Sequence, residues 1–403
     1  MTDFTTMTAC GECCIGCAKK ESGMCPGCIE AEGKVPEWAE SGICRIYACC
    51  SEHNTRFCFL CENFPCDNLP AMMPWKADVV DQLSELREEY LRQQASSEAD
   101  AASRPAEVLA HWELKDPGIG DQFNKDSGRL IYKVTTASGD YLLKGFPDCM
   151  PEATIQGNVQ AHRFLGNEHG MAPALYPAKT GEYYVNCLGH WFYLMEFIDG
   201  RQMEETPEDE YKLGQATRKM HLLQGYNMKS PMTQSKARYY TWFRNHAFVK
   251  EFDEILDALP DFEALDQCFV HTDIGPHNAM LRTNGEVVFI DLDDTGIGSR
   301  YLDLGWPFIM QFVDFNHETE EMTYRFDLAQ SFLRGYYGEE GPSREEYELV
   351  FQGAVQMHIS YMQAYGPYAV DSLWKILRFG MEQKEALWEM IRKKEKTDEG
   401  GCK

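Results

Sequence analysis

The segment from His271 to Asp294, HTDIGPHNAMLRTNGEVVFIDLDD, constrains the fold of this chain more than any other part of the sequence. Two apolar runs flank Asn284-Gly285, and Asn-Gly between such runs is the strongest short-range signal for a β-hairpin with a two-residue type I′ turn. The polar residues gather at the two open ends of this predicted hairpin. In a two-residue hairpin Asn278 directly faces Asp291, and directly opposed residues lie roughly 4.5–5.5 Å apart.

Oxygen ligands are therefore predicted to meet at the open end of the hairpin. The predicted register would place the Asn278 amide oxygen next to the Asp291 carboxylate, and the preceding apolar run, CFVHTD, ends in Asp273. Mg²⁺ takes a few protein oxygens and completes its shell with phosphate and water, so Asn278 and Asp291 are predicted to hold it. The alternative is an ordinary surface hairpin with polar ends. The His-x-Asp-x4-Asn spacing that begins at His271 is that of the kinase catalytic loop, and it favours phosphoryl transfer.

HTDIGPHN, followed by VVFIDLDDTGIG and YLDLGW, resembles the aminoglycoside phosphotransferase and choline kinase superfamily of small-molecule kinases. The resemblance covers residues 105–403. It implies an α+β, bilobal, protein-kinase-like fold with a small β-rich lobe and a larger helical lobe. It also implies transfer of phosphate from ATP, with Mg²⁺, to the hydroxyl group of a small molecule. The residues it singles out are Asp273 as catalytic base, Asn278 and Asp291 as metal ligands, His271 as the structural histidine of the loop and Asp303 as the buried aspartate that supports it.

Upstream residues are predicted to bind the nucleotide. A kinase of this kind needs a lysine on its third strand to pair with the phosphates, and Lys144 in YLLKGF ends an apolar strand at the right place. FYLMEFIDG resembles the segment that links the two lobes. By that resemblance the backbone at Glu196, Phe197 and Ile198 would hydrogen-bond adenine.

One departure from the kinase pattern keeps a second function open. The lysine normally pairs with a glutamate on the following helix, but the segment from Ala153 to Asn167 contains no acid. Candidate substitutes are Gln156, Asn158 and Gln160 within that segment and Glu152 just before it. The alternative function is a non-catalytic sensor or adaptor that uses a kinase fold to bind nucleotide while its cysteine-rich part reads metal, redox state or a partner. Intact Asp273, Asn278 and Asp291 favour catalysis.

Twelve of the 16 cysteines lie between Cys10 and Cys66, and eight of these twelve form four C-x2-C units. The N-terminus has neither the basic start nor the apolar run of a leader peptide, so we expect the cytoplasm. In a reducing compartment such a pattern typically holds metal, and tetrahedral thiolate sites favour Zn²⁺ over an iron–sulfur cluster. The predicted ligands are Cys10, Cys13, Cys14, Cys17, Cys25, Cys28, Cys44, Cys49, Cys58, Cys61 and Cys66. The stretch with FCFLCENFPC resembles an uncharacterised cysteine-rich microbial domain family, which supplies no function.

Three zones follow along the 403 residues: a cysteine-rich metal-binding domain at 1–75, a helix and polar linker at 76–104, and the phosphotransferase domain at 105–403. The formal net charge of −26 repels nucleic acid and anionic membrane surfaces, so neither is a predicted partner. The acidity fits a cationic small-molecule acceptor, but such acidity more often reflects plain solubility. The sequence does not name the acceptor.

Overall fold

The structure of the protein is a computed structural model. It describes residues 2, 4, 7–12, 20, 25, 27–28, 31, 33–35, 42–53, 55–73, 76, 78–123, 129–147, 150–230, 246–316, 318–364 and 370–392. Contacts divide the chain into two compact units. The first comprises Met1–Val159 with Ala174–Phe197, and the second comprises Gln160–Pro173 with Ile198–Lys403. The division between Phe197 and Ile198 falls inside the segment predicted to link two lobes.

The first unit begins with the cysteine-rich segment and a long helix. Its helices are α1 (Arg45–Glu52), α2 (Leu69–Met72), α3 (Val79–Ser103) and α4 (Pro105–Leu109), with a 3₁₀ turn at Cys58–Leu60. Helix α3 continues to Ser103, so the polar stretch predicted as a linker is helical, and that part of the prediction is wrong. The acidic and alanine-rich text there is compatible with a helix, because Ala and Glu have high helix propensity.

The cysteine-rich segment shares an apolar core with helix α3, which the sequence did not predict. Phe57 and Phe59 stack at 4.9 Å between ring centroids, and Phe4 meets Tyr90 of α3 edge to face at 4.9 Å. Leu83, two helical turns before Tyr90, is fully buried in the same cluster. The core therefore draws on helix α3, which lies outside the densest cysteine text, and this is why the cysteine-rich segment alone looked poor in apolar residues.

A six-stranded antiparallel sheet forms the rest of the first unit. The strand order is β1-β2-β3-β6-β4, with β5 also paired to β6. Strands β2 and β3 form the predicted hairpin around Ala-Ser-Gly, and β5 and β6 form the predicted hairpin around a glycine turn. The strands are β1 (Gly118–Phe123), β2 (Leu130–Thr136), β3 (Gly139–Pro147), β4 (Leu175–Tyr176), β5 (Val185–Cys187) and β6 (His190–Glu196).

Strand alternation gives this sheet two different faces. One face, with Val134 among its residues, packs against Trp112 just after α4. The opposite face, with Phe146, packs against Ile155 of helix α5 (Glu152–His162). Lys144 shares the α5 face because it lies two residues before Phe146, and its Nζ lies 5.0 Å from the centre of the Phe146 ring.

The second unit is mainly helical, as the last hundred residues predicted, and contains the largest apolar core. In the described part, no helix is both long enough and apolar enough to span a membrane. Its helices are α6 (Pro207–His221), α7 (Val249–Ala258), α8 (Arg300–Met310), α9 (Phe326–Tyr337), α10 (Arg344–Ala364), α11 (Val370–Glu382) and α12 (Lys384–Arg392). Its strands are β7 (Gly200–Gln202), β8 (Gln267–Val270), β9 (Ala279–Arg282), β10 (Val287–Phe289), β11 (Gly296–Ser299), β12 (Val313–Phe315) and β13 (Met322–Tyr324).

Helices α8 and α10 approach each other closely through glycines. A Cβ on Gly305 of α8 would lie 2.2 Å from the Ala354 backbone nitrogen, and a Cβ on Gly353 of α10 would lie 2.0 Å from the Tyr301 carbonyl oxygen. Real Cβ atoms do not approach backbone atoms this closely, so any side chain at either position separates the helices. The contact therefore requires glycine on both partners.

We predict that Gly305→Ala lowers the free energy of unfolding by about 1–3 kcal/mol, the usual cost of overpacking a well-packed core. Thermal unfolding followed by circular dichroism measures the effect. Gly118→Ala is the control, because its added methyl group would meet a single carbonyl oxygen at the ordinary distance of 3.7 Å. Equal melting temperatures for the two variants would show that the helices separate at no cost.

Candidate active site

A buried carboxylate fixes the loop that follows β8. The backbone amides of His271 and Thr272 donate to the two oxygens of Asp303, at 2.9 and 2.6 Å. His221 Nε2, from the last turn of α6, lies 2.9 Å from Asp303 Oδ2. Asp303 is fully buried, so these bonds replace the water that its charge loses on folding. The start of the loop is thereby tied to two helices.

One further contact holds the loop, and the backbone at Thr272 takes an unusual conformation. His271 Nε2 donates to the Ile290 carbonyl oxygen at 3.0 Å, which ties the loop to the end of β10. Thr272 has a φ of 72°, a left-handed conformation that a β-branched residue seldom adopts. Such a residue persists only where its surroundings over-determine it, and the bond to Asp303 supplies that constraint. The chain turns here and presents Asp273 next.

The half-buried carboxylate of Asp273 accepts hydrogen bonds from two residues of its own loop. Asn278 Nδ2 lies 2.7 Å from Oδ2 and 3.1 Å from the Asp273 carbonyl oxygen, and His277 Nε2 lies 3.2 Å from Oδ1. Burial favours the neutral acid. The His277 hydrogen bond, the charges of His277 and His271 and the Asn278 bond outweigh burial and lower the pKa of Asp273. Asp273 is therefore ionised at neutral pH and is a hydrogen-bond acceptor.

His277 is a site residue that the sequence interpretation missed. Its ring folds back over Gly275, where a Cβ would lie only 2.5 Å from His277 Cε1, so glycine makes room for the contact with Asp273. The backbone is held too, because Gln202 Nε2 donates to the His277 carbonyl oxygen at 3.1 Å. The available signal was the i,i+4 spacing of Asp273 and His277 around a Gly-Pro turn.

The predicted register of the Asn284-Gly285 hairpin is wrong by one residue. The loop has three residues, not two, and is closed by the Arg282 amide donating to the Glu286 carbonyl at 2.8 Å. Gly285 takes the left-handed conformation, with φ of 87°, at the third loop position. Asn284 Oδ1 accepts from the Glu286 amide at 3.0 Å and caps the turn. The paired residues are Leu281 with Val287, Met280 with Val288 and Ala279 with Phe289.

The corrected register places Asn278 opposite Ile290, whose amide donates to the Asn278 carbonyl at 2.9 Å, and not opposite Asp291. Asn278 ends a 3₁₀ turn, Pro276–Asn278, just before β9. Asp291 follows β10 with a left-handed φ of 60°. The predicted direct cross-strand pairing of the two is therefore wrong.

Asn278 and Asp291 nevertheless carry oxygens that suit Mg²⁺. The Asn278 amide donates through its nitrogen to Asp273, and its Oδ1 accepts no hydrogen bond among the described residues. Asp291 lies within electrostatic reach of the loop, because its charge adds to the Asp273 hydrogen bond in raising the pKa of His277. One amide oxygen and one carboxylate are the hard ligands that Mg²⁺ combines with phosphate and water.

Lys144 is buried on β3, with 5% of its surface exposed. Glu196 ends β6, and its amide already donates to the Ala174 carbonyl at 2.8 Å. Phe197 stacks under Lys133, whose Nζ lies 4.2 Å from the ring centre. The amide of the next residue, Ile198, has no acceptor among the described residues. Of the three predicted adenine-binding positions, Ile198 therefore offers a free backbone donor and Glu196 does not.

Helix α5 offers one buried substitute for the missing glutamate. Tyr184 Oη donates to Glu152 at 2.7 Å and accepts from Gln156 at 3.1 Å, so these two candidates are bonded at the surface. Gln160 is exposed. Asn158 has 3% of its surface exposed and lies on the helix face that packs on the sheet. Burial thus singles out Asn158.

The cysteines that the structure describes are free thiols. Cys58 and Cys61 share one 3₁₀ turn, and burial together with the charges of Cys58, Cys61 and Cys66 raises the pKa of Cys49 to about 12. Cys50, which was not a predicted ligand, is buried, and its thiol donates to the Ala9 carbonyl oxygen at 3.9 Å. The neighbouring Cys58 raises the pKa of Cys50. Within the described ranges no three His, Cys, Asp or Glu side chains are grouped to hold a metal ion. The predicted ligands Cys13, Cys14 and Cys17 lie outside the described residues.

A sheet unit, a helical unit and an ionised aspartate on a fixed loop define a kinase-like phosphotransferase. The model of the phosphotransferase enzyme family (APH) matches residues 120–325, just over half of the chain, and the chain belongs to this family. Family membership confirms the predicted fold class and small-molecule phosphotransferase activity. Kinases of this family use ATP and a divalent metal. Among curated proteins no match was found.

Several solved structures are similar to this chain at low sequence identity, with TM-scores below 0.5. Amicoumacin kinase hAmiN, in complex with AMP-PNP, Ca²⁺ and Ami, is 17% identical over 70% of this chain and 92% of its own, with a TM-score of 0.48. A microcompartment-associated aminopropanol kinase is 14% identical over 71% of this chain and 97% of its own, with a TM-score of 0.46. Plasmodium vivax ethanolamine kinase is 13% identical over 80% of this chain and 94% of its own, with a TM-score of 0.45.

A buried acid lies behind the loop. Glu210, in the first turn of α6, is fully buried and accepts a hydrogen bond from Gln311 Nε2. The Gln311 side chain also packs close to Gly275 of the loop, because a Cβ on Gly275 would lie 2.9 Å from Gln311 Oε1. Burial raises the pKa of Glu210 to about 8, and the charges of Glu205 and Asp209 add to this effect. Glu210 is therefore mostly protonated at neutral pH in the folded protein.

We predict that Glu210 makes the free energy of unfolding fall as pH rises. A folded pKa of about 8 lies above the unfolded value near 4.5, so the folded state holds the extra proton between these values. The stabilisation is complete below the unfolded pKa and is lost as pH rises through the folded pKa. Glu210→Gln removes this dependence, so its stability relative to the unmodified protein should rise between pH 5 and pH 8 by a few kcal/mol.

Denaturant unfolding across that pH range measures the effect. Glu208→Gln is the matched control, because Glu208 lies on the same helix with 78% of its side chain exposed. The control should leave the pH profile unchanged. A profile that Glu210→Gln also leaves unchanged would mean that Glu210 ionises freely in the folded state.

Proposed function

We propose that this protein transfers the γ-phosphate of ATP to a hydroxyl group of a small-molecule acceptor, with Asp273 as the base. The observation that carries the proposal is the Asp273 carboxylate, held ionised by His277 and Asn278 on a loop fixed by Asp303. An acid with a lowered pKa is a weak base. Asp273 therefore orients the acceptor hydroxyl and takes its proton late, as the bond to phosphorus forms.

Four further residues bind the nucleotide and its metal in this proposal. Asn278 Oδ1 and the Asp291 carboxylate hold Mg²⁺, which neutralises phosphate charge when bound. Lys144 pairs with the phosphates, and burial beside Phe146 limits its rotamers. The Ile198 amide donates to adenine. Asn158 takes the place of the helix glutamate and orients Lys144 through a neutral contact.

Position 158 carries a neutral asparagine and not an acid, and this also supports the second candidate function, a non-catalytic sensor. A neutral partner holds a lysine less strongly than a carboxylate does, because the bond is not between two charges. In the non-catalytic sensor, nucleotide binds and no phosphate is transferred. Nucleotide binding without turnover on any acceptor would favour this function.

The acceptor is best found by a screen of ATP consumption. Amino sugars, amino alcohols, choline and homoserine each present a hydroxyl group, and all but homoserine are cationic at neutral pH. Product formation, followed by mass spectrometry, separates transfer to the acceptor from simple ATP hydrolysis. Turnover confined to the cationic compounds would connect the acidity of the chain to substrate binding.

With an acceptor in hand, Asp273→Asn should lower kcat by roughly 10²–10⁴-fold and leave ATP affinity nearly unchanged, because a base acts on the chemical step. Steady-state kinetics and nucleotide titration measure the two quantities. Asp257→Asn, an exposed aspartate of α7, is the matched control and should behave like the unmodified protein. Unchanged turnover in Asp273→Asn would remove Asp273 from the mechanism.

Asp291→Ala should abolish the Mg²⁺ dependence of ATP binding, because an amide oxygen alone is a poor magnesium ligand. Calorimetric titration of ATP with and without Mg²⁺ decides the point, with Asp257→Ala as control. If the Asp291 variant keeps the dependence, other residues hold the metal.

We further propose that the cysteine-rich segment binds about two zinc ions in the reducing cytoplasm. The support is the four C-x2-C units and the free thiols of Cys58 and Cys61 on a single turn. Zinc-site binding energy of order 10–16 kcal/mol exceeds what a small aromatic core supplies. The metal would therefore decide the stability of this segment.

Elemental analysis of protein purified without oxygen should find about two zinc ions per chain. Cys61→Ser should lose roughly one of them, whereas Cys187→Ser, at the end of β5, should lose none. A strong chelator should lower the melting temperature of the unmodified protein. Iron with labile sulfide, or no metal with paired disulfides, would contradict the proposal.

A further inference from the structure

Helix α8 supports the loop that presents Asp273 on both sides of that residue. Asp303, in the first turn of the helix, accepts the two backbone amides that precede Asp273. Gln311 directly follows the helix, and its amide donates to the Pro307 carbonyl oxygen at 2.9 Å. Its side chain packs against Gly275, which comes just after Asp273, because a Cβ on Gly275 would lie 2.9 Å from Gln311 Oε1. One helix therefore contacts the loop before and after the proposed base.

The side chain of Gln311 and the ring of His277 approach the same point beside the loop. A Cβ on Gly275 would lie 2.6 Å from His277 Nδ1 and 2.9 Å from Gln311 Oε1, so the two side chains lie close together on one face of Gly275. The other ring nitrogen, His277 Nε2, lies 3.2 Å from Asp273 Oδ1. Gln311 therefore limits where the ring that contacts Asp273 can lie.

Gln311 is itself held by a buried acid on a second helix. Its Nε2 donates to Oε1 of Glu210, which is fully buried in the first turn of α6. Glu205, just before α6, lies within electrostatic reach of both Glu210 and His277, so the start of α6 is near the loop. The backbone of Gln311 is thus fixed on α8 and its amide group on α6.

The contact between Glu210 and Gln311 leaves two polar atoms unsatisfied. Glu210 Oε2 and Gln311 Oε1 are buried and have no hydrogen-bond partner within the described residues. Each such atom costs about 1–3 kcal/mol, whereas replacing both partners by apolar side chains of the same shape can be neutral or stabilising. Stability alone therefore gives no reason for this pair, and departures from good packing chemistry are expected at functional sites.

We propose that Gln311 is a positioning residue for Asp273 and that Glu210 holds Gln311 in place. Gln311 supports the ring of His277, and His277 directs Asp273 Oδ1. Glu210 and Gln311 take no part in the chemical step. The inference rests on the proposed function, in which Asp273 is the base, and it matters for the rate because a misplacement of about 1 Å can cost a hundredfold.

The first test needs no enzymatic activity. NMR spectra of the full chain with isotope-labelled histidine rings contain one ring signal that disappears in His277→Ala, and this signal belongs to His277. Gln311→Ala should shift it, because the ring loses the side chain packed beside it. An unshifted His277 signal in Gln311→Ala would overturn the proposal.

Gln330→Ala is the matched control. Gln330 is also half-buried, and its Nε2 also donates one hydrogen bond, to the Met390 carbonyl oxygen at 2.9 Å. The control should leave the His277 signal unchanged. Equal shifts in Gln311→Ala and Gln330→Ala would reduce the effect to a general loosening of the helical unit and would contradict the proposal.

Steady-state kinetics then tests the consequence for the reaction. Gln311→Ala should lower kcat by roughly tenfold and leave ATP affinity nearly unchanged, because the change displaces the base and not the nucleotide. In a His277→Ala background, Gln311→Ala should lower kcat no further, since residues that act through one another are not additive. Multiplicative effects of the two substitutions would show that Gln311 does not act through His277.

Variants of Glu210 separate its hydrogen bond from its charge. Glu210→Gln keeps an oxygen that accepts from Gln311 Nε2, so kcat and the His277 signal should stay close to those of the unmodified protein. Glu210→Ala should act like Gln311→Ala. If Glu210→Ala does not fold, Gln311→Met replaces it, because methionine keeps the volume and loses the same hydrogen bond. A Glu210→Gln variant as impaired as either would exclude this role for Glu210.

The two readouts also separate this proposal from the proposed function. A shifted His277 signal in a protein that phosphorylates no acceptor would overturn the proposed function, and with it the catalytic half of the inference, while the support of His277 by Gln311 would stand. Turnover with an unshifted signal and an unchanged kcat in Gln311→Ala would do the reverse.

Discussion

The carboxylate of Asp303 is the interaction on which the active site depends. It is buried, the basic side chain that contacts it among the described residues is His221, and three hydrogen bonds satisfy its two oxygens. Two of the three donors are consecutive backbone amides, so the carboxylate fixes the path of the chain itself and not merely a side chain. Removing a partner from such an arrangement leaves a buried charge uncompensated, which is far more costly than the bonds are worth individually.

Because the start of the loop is fixed, the remaining contacts of the site form between residues that are close in sequence. Once Thr272 is held in its left-handed conformation, a tight turn through Gly275 brings both His277 and Asn278 back to the carboxylate of Asp273. In the proposed mechanism Asn278 has two functions, because its nitrogen holds Asp273 and its oxygen is left for a metal. The proposed base and metal site would then both depend on one side chain, so a shift of Asn278 would disturb both.

Much of this could be predicted from the sequence where the signal is local. The hairpin of β2 and β3 and helix α6 follow from periodicity and turn residues. The motif spacing that begins at His271 singles out Asp273 as the proposed base. The register of the Asn284-Gly285 hairpin could not be predicted, because Asn-Gly occurs both in two-residue turns and at the end of three-residue turns. The choice between them depends on which residues of β9 and β10 are buried, and a one-residue slip reverses every side chain.

Other features depend on contacts between distant residues, and no local pattern carries them. The aromatic core of the cysteine-rich segment includes Tyr90, far from Phe4 and Phe57 in sequence. The burial of Asn158 depends on how helix α5 packs against the sheet. The neighbouring candidates Glu152 and Gln156 are bonded by Tyr184, which is 28 or more residues away in the sequence. The raised pKa of Glu210 arises from burial, and the sequence of an amphipathic helix does not show that this acid is buried.

Helix α8 connects the loop that presents Asp273 to a close backbone contact with α10. Asp303 lies two residues before Gly305, whose contact with α10 leaves no room for even a methyl group. Backbone packed on backbone has little freedom to slide, so the position of Asp303 follows the position of α10. Misplacing a reacting group by about 1 Å can cost a hundredfold in rate. We therefore expect a side chain added at the α8–α10 contact to affect the proposed phosphoryl transfer through the position of a single carboxylate, that of Asp303.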